Sequence, residues 1–149
     1  MITERCIELI KKYEGLSLKP YICPAGYWTI GYGHVLTKDE LKEYKNGITK
    51  KEAELLLYHD VFKTFFLISP LVNVKLHPYC WDALTSFSFN VGVYAFKASS
   101  LRKKINRGEF YDAAEEFMRW VYAGGRKLKG LVKRRREERE LFLEGLKLM

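Results

Sequence analysis

The strand-forming signal in this chain is confined to one stretch, and everything after it reads as helix. Residues 16–35 begin with the alternation Leu16-Ser17-Leu18 and pass a turn at Cys23-Pro24-Ala25-Gly26. They end in Tyr27-Trp28-Thr29-Ile30-Gly31-Tyr32-Gly33, rich in aromatic and β-branched residues. A segment of this kind forms a short hairpin or a three-stranded sheet, and no second region of the chain carries so clear a strand pattern. Ahead of it, Cys6, Leu9, Ile10 and Tyr13 fall on one helical face over 3–14, with Thr3 as N-cap and Gly15 just past the end.

Behind it stand two capping boxes, Thr37–Glu40 and Thr49–Glu52. The first opens a short helix that ends near Asn46-Gly47. The second opens a long one, with Ala53, Leu56, Leu57, Val61, Phe65 and Ile68 on its apolar stripe as far as Ser69-Pro70. Further helices are expected from Pro78 to Gly92, over 99–106, from Phe110 to a stop at Gly124-Gly125, and from about Gly130 to Glu144. The expected fold is α+β, mainly α. It has a small β-rich lobe at about 14–48, a connecting helix at about 49–69, and a helical lobe at about 70–149 that also takes the N-terminal helix 3–13.

Composition narrows the function. With 149 residues the chain is one domain, or one domain of two lobes. Lys and Arg number 26 against 18 acids, a net charge of +8 that favours a polyanionic partner. Nucleic acid, an anionic membrane face and an anionic wall polymer all fit that sign. The three cysteines, at 6, 23 and 80, form no CxxC pair, and His34, His59 and His77 form no HxxxH or HExxH spacing. Neither a disulfide framework, a metal site nor a cofactor is expected. The first residues carry charge at Glu4 and Arg5, so no secretory signal is expected. The most apolar window, Val61 to Val74, is interrupted by Lys63, Ser69, Pro70 and Asn73, and no membrane anchor is expected. Lys129, Lys133, Arg134, Arg135 and Arg136 form a basic run. Pairs Lys133–Glu137, Arg134–Glu138 and Arg136–Glu140 at i,i+4 spacing would make it a solvated, self-paired helix. Attraction to an anionic polymer or membrane face is its functional alternative.

Three residues could carry chemistry. Glu14 ends a helix where the sheet begins, and the negative end of the helix dipole favours a protonated carboxyl there. Cys23 lies at the turn and Thr29 on the returning strand, so a hairpin can bring both toward Glu14. From the residues alone two readings stand open. One is a plain charge before a C-capping glycine with an ordinary cysteine and threonine; the other is a general acid with two partners.

The run from Glu14 to His34 resembles the catalytic signature of the phage-type (T4-like) lysozymes, or endolysins: Glu, eight residues, Asp or Cys, five residues, Thr. Ala83 to Gly92, Phe96 to Leu101 and Trp120 to Arg135 also resemble family segments, in order, so the resemblance covers nearly the whole chain. It implies a two-lobe lysozyme-like fold holding bacterial peptidoglycan between the lobes. It implies hydrolysis of the β-1,4 bond between N-acetylmuramic acid and N-acetylglucosamine, leading to host cell lysis. Glu14 would protonate the leaving oxygen, and Cys23 with Thr29 would position or activate the water. Val35, Phe89 and Ser100 fall where the family contacts sugar. Tyr27, Trp28 and Tyr32 are available for stacking on sugar rings, and His34 either braces the sheet or meets an acid across the cleft. Position 23 is more often Asp in this family, and an ordinary thiol, with a pKa of ~8.5, is mostly neutral at pH 7.

The resemblance further implies a monomer that binds peptidoglycan and no nucleic acid. It would be made in the host cytoplasm and reach the wall through a holin-type membrane lesion. The rival readings are a lytic transglycosylase acting on the same bond, or a basic wall-binding or nucleic-acid-binding protein without hydrolase activity.

Overall fold

The computed structural model describes all residues, 1–149. The chain forms two compact units, Ile7–Phe62 and Met1–Cys6 with Lys63–Met149. The boundaries fall inside two helices, α1 (Glu4–Glu14) and α3 (Lys50–Ile68), each of which has residues in both units.

The unit Ile7–Phe62 holds a three-stranded antiparallel sheet in the order β1 (Ser17–Ile22), β2 (Trp28–Gly31), β3 (His34–Val35). Register sets Tyr21 opposite Thr29 and Ile22 opposite Trp28, then Thr29 opposite Val35 and Ile30 opposite His34. Side chains alternate between the faces of a strand. Tyr21, Thr29 and Val35 therefore form one row across one face, while Ile22 and Trp28 belong to the other. The short helix α2 (Lys38–Glu43) opens with the expected capping box: Glu40 N–H donates to Thr37 Oγ1 at 3.1 Å and Thr37 N–H to Glu40 Oε1 at 3.0 Å. The start of α3 repeats the device between Thr49 and Glu52, at 3.0 and 3.1 Å. Ile30, Tyr32, Ile48, Ala53, Leu57 and Val61 are buried. A Cβ on Gly31 would touch Ala53 at 3.4 Å, so the end of β2 lies directly against the first turn of α3.

The second unit is built around α4 (Pro78–Val91), whose residues Cys80 to Ser88 are all buried. It packs chiefly against the last helix, α8 (Lys129–Lys147). Gly145 permits the approach, since a Cβ there would sit 2.6 Å from Cys80 Sγ. Short helices α5 (Val93–Ala98), α6 (Ser100–Asn106) and α7 (Phe110–Glu116) complete the unit. Phe87 is its aromatic hub, with edge contacts to Phe96, Phe117 and Trp120 at centroid distances of 6.4, 5.5 and 5.4 Å. At the other end of the chain Thr3 fastens to Asp82, its amide donating at 2.6 Å and its hydroxyl at 2.5 Å.

Two features depart from the sequence reading. The segment after α7 is a second antiparallel ribbon, β4 (Tyr122–Ala123) with β5 (Arg126–Lys127), turning through Gly124 and Gly125 at φ of 59° and 77°. Its strands are too short for an alternating pattern to register. The basic run is also not uniformly solvated, because Arg134 and Arg135 are buried with Glu138. Glu138 accepts from Arg134 Nε at 3.2 Å, from Ser86 Oγ at 2.6 Å and from Arg135 Nη1. Arg135 also donates to Asn90 Oδ1 and, at 3.0 Å, to the Trp120 carbonyl, with its guanidinium 5.0 Å from the Phe87 ring centroid. Of the expected pairs, Arg134–Glu138 forms, while Glu140 meets Arg139 at 3.3 Å.

Candidate functional site

The C-terminal end of α1 presents Glu14, and the chain leaves the helix through Gly15, at φ 71°, whose amide donates to the Lys11 carbonyl at 3.3 Å. A residue with positive φ at this position closes the helix in the way glycine does best. The β2–β3 turn comes up to the carboxyl: Glu14 Oε1 lies 2.7 Å from where a Cβ on Gly33 would stand. Gly33 has φ 82°, so the backbone favours glycine, and a side chain here would push the Glu14 carboxyl aside. The sequence reading treated Gly33 only as part of a glycine-rich strand, although the Gly31-Tyr32-Gly33 pattern marks a tight turn.

Cys23 closes β1. Its amide donates to the Tyr27 carbonyl at 2.9 Å, and its carbonyl accepts from Gly26 N–H at 2.8 Å. These bonds make residues 23–27 a tight turn that folds backbone amides around the sulfur. The amide of Tyr27, the Thr29 hydroxyl and the amides of Ala25 and Gly26 hold the accessible thiol below its ordinary value. Donors aimed at a sulfur stabilise its thiolate. Thr29 is 3% exposed, and its hydroxyl donates to the Tyr27 carbonyl at 2.9 Å. A hydroxyl has one proton, so Thr29 can turn it from that carbonyl to the sulfur when the thiolate forms. Cys23 is thus the accessible member of the pair.

Val35, opposite Thr29, is 53% exposed at the end of the same row. Phe89 and Ser100 belong to the other unit, Phe89 half-buried near the end of α4 and Ser100 exposed at the start of α6. Of the aromatics considered for stacking, Tyr32 is buried. Trp28 neighbours Thr29 in β2 and so faces the opposite side of the sheet.

His34 braces the same sheet. Its Nδ1 is 2.6 Å from Asp60 Oδ2 on α3, and its Nε2 is 3.0 Å from Glu40 Oε2 on α2. The bond to Asp60 raises the imidazole above its usual value against the opposing effect of burial, and Glu40 adds to the rise. Glu40 itself is held low: its burial would raise it, but the Thr37 amide and His34 outweigh that. No group of three or more His, Cys, Asp or Glu is arranged to hold a metal ion.

A small sheet beside a helix that ends in glutamate, together with a larger helical unit, defines a lysozyme-like α+β protein. The chain belongs to the phage lysozyme family, whose family model matches residues 11–138. It is 41% identical over 145 residues to an endolysin of Acyrthosiphon pisum secondary endosymbiont phage 1, covering 95% of this chain and 97% of that one. It is 40% identical over 134 residues to a SAR-endolysin of Enterobacteria phage PA-2, covering 89% and 78%. Among solved structures, the muramidase domain of SpmX from Asticaccaulis excentricus superposes with a TM-score of 0.85 at 34% identity, over 96% of this chain and 97% of that one.

Proposed function

We propose that the chain is an endolysin-type muramidase with Glu14 as its general acid. It hydrolyses the β-1,4 bond between N-acetylmuramic acid and N-acetylglucosamine in bacterial peptidoglycan. The observation that carries this reading is the placement of a helix-end carboxyl and a donor-surrounded thiol in one small unit, at the spacing the family uses. Glu14 gives its proton to the departing glycosidic oxygen. Water attacks the anomeric carbon from the opposite face, which is the geometry of inversion. Cys23 handles that water: its lowered thiol supplies more thiolate than an ordinary cysteine to accept the water's proton, and Thr29 supports the anion. To close the cycle, Cys23 releases the proton it took from water to solvent and Glu14 regains one. By the family resemblance, Val35, Phe89 and Ser100 are the enzyme's substrate-binding residues.

In this reading the enzyme works as a monomer, needs no cofactor and binds no nucleic acid. No helix is long and apolar enough to cross a membrane. In the same reading the enzyme reaches the wall from the cytoplasm through a holin-type lesion. Digestion of purified peptidoglycan followed by mass analysis tests the chemistry. Hydrolysis leaves reducing N-acetylmuramic acid ends, whereas a transglycosylase leaves anhydro ends lighter by one water. Anhydro products alone would overturn the water-using mechanism.

A further inference from the structure

The position of Tyr21 relates it to Glu14, Cys23 and Thr29 together, and nothing in the signature assigns it a role. Three observations locate it. Register sets it directly opposite Thr29, so the two side chains are neighbours in the row that continues to Val35. It stands two residues before Cys23, and side chains two apart along an extended chain point to the same face. The charges of both Glu14 and Cys23 act on its phenol. Tyr21 therefore shares the face of Thr29 and Cys23, close enough to Glu14 to feel its charge.

The residue is 37% exposed, and no hydrogen bond to another residue of the chain occupies its hydroxyl. A ring with a polar tip facing an open site is the form in which aromatic side chains meet sugars and other amphipathic ligands.

We propose that Tyr21 is a substrate-binding residue of the muramidase, whose hydroxyl donates a hydrogen bond to the sugar ring held between Glu14 and Cys23. The proposal rests on the reading of Glu14 and Cys23 given above. In an inverting reaction the acid and the water stand on opposite sides of the scissile bond, so a group near the acid and on the face of Cys23 is within reach of the sugar undergoing attack. Burial first, then the negative charges of Glu14 and Cys23, raise the phenol above its ordinary value. Tyr21 consequently keeps its proton at neutral pH and has it to donate.

The test is titration calorimetry with soluble, uncross-linked peptidoglycan strands. Glu14→Gln protein, which binds without turnover, is compared with the Glu14→Gln/Tyr21→Phe double variant. Loss of one donor should raise Kd roughly tenfold, about what one neutral hydrogen bond contributes. Thermal unfolding, recorded on the same samples, should coincide. In enzyme with Glu14 intact, Tyr21→Phe should raise KM and leave kcat nearly unchanged. As a check that needs no loss of the hydroxyl, fluorotyrosine at position 21 should shift its ¹⁹F resonance when strands are added. Equal Kd values for the two proteins would overturn the role of Tyr21 while leaving the muramidase reading intact. A Glu14→Gln protein that bound no strands would overturn both.

Discussion

The two units differ in where they keep charge and how they use it. The unit Ile7–Phe62 has eight basic and eight acidic residues and is neutral, whereas the other unit has eighteen basic against ten acidic and carries the entire +8. In the neutral unit the notable polar groups reach the surface: Glu14 at a helix end, Cys23 in a turn, and His34 bridging two carboxylates. In the helical unit the most constrained charges, Arg134, Arg135 and Glu138, lie on α8 and are buried where it packs against α4. The first arrangement leaves a carboxyl and a thiol open to water. The second is a closed network in which removing one partner strands a buried charge at high cost. Chemistry and architecture thus draw on the same residue types under opposite solvation.

Five measurements test that contrast. Glu14→Gln should reduce wall clearing by about 10² or more, the scale of general acid catalysis, without altering the melting curve. If more than a tenth of the activity survived at neutral pH, Glu14 would not be the acid.

Glu138→Ala should do the reverse. It leaves two buried guanidinium groups without their carboxylate and should cost roughly 3–5 kcal/mol of stability in urea titrations. Lightly heated samples that remained folded should still cleave peptidoglycan. A change under about 1 kcal/mol would mean that water or other acceptors compensate for the lost carboxylate.

Gly33→Ala tests the seat of the acid. The new methyl would meet the Glu14 carboxylate, and the backbone at φ 82° resists any side chain. The strain is of order 1–3 kcal/mol. Displacement of the carboxyl should lower kcat more than that strain lowers stability. Proportionate losses in both would make Gly33 a folding residue only.

At position 23 the expected activity order is Asp at or above Cys, then Ala, with all three proteins folded. Alkylation with iodoacetamide should modify Cys23 first and stop activity. Burial lifts the Cys80 thiol to about 12 and the Cys6 thiol well above its ordinary value, so both are poor nucleophiles. Full activity in Cys23→Ala would remove the thiol from the mechanism.

The smallest effect concerns pH and the brace. His34 is raised in the folded protein, so its contribution to stability is complete below the unfolded imidazole value and fades as pH rises through the folded one. Glu40 is depressed, so its contribution is present above the unfolded carboxyl value and fades as pH falls through the folded one. Stability attributable to the brace should therefore peak between these limits, in weakly acidic solution. Calorimetric scans of wild type and His34→Gln across that range should differ most at the peak and converge on its alkaline side. A constant gap through pH 9 would show that packing, and not charge, makes His34 useful.

Much of this anatomy was legible in the residues because it depends on short-range chemistry. The capping boxes at Thr37 and Thr49, the glycine after Glu14 and the strand-forming run at 27–33 act over a few residues, and each appears where the pattern predicts it. The spacing of Glu14, Cys23 and Thr29 marked the family before any geometry was known, and Cys23 and Thr29 do meet at one turn. What the pattern could not supply was partnership across long separations. Arg135 reads as one more exposed cation in a basic run until α4 brings Asn90 and the Phe87 ring to it from 45 and more residues away. Gly33 reads as one more residue of a glycine-rich strand until the turn brings it against Glu14, and no local pattern singles out Tyr21, which register seats opposite Thr29. Local propensities and motif spacing reside in neighbouring residues, so the sequence by itself determined the elements and the family. Burial and field at a given side chain are sums over groups that only folding brings near, so the tertiary structure alone decided which charges are sealed and which face the site.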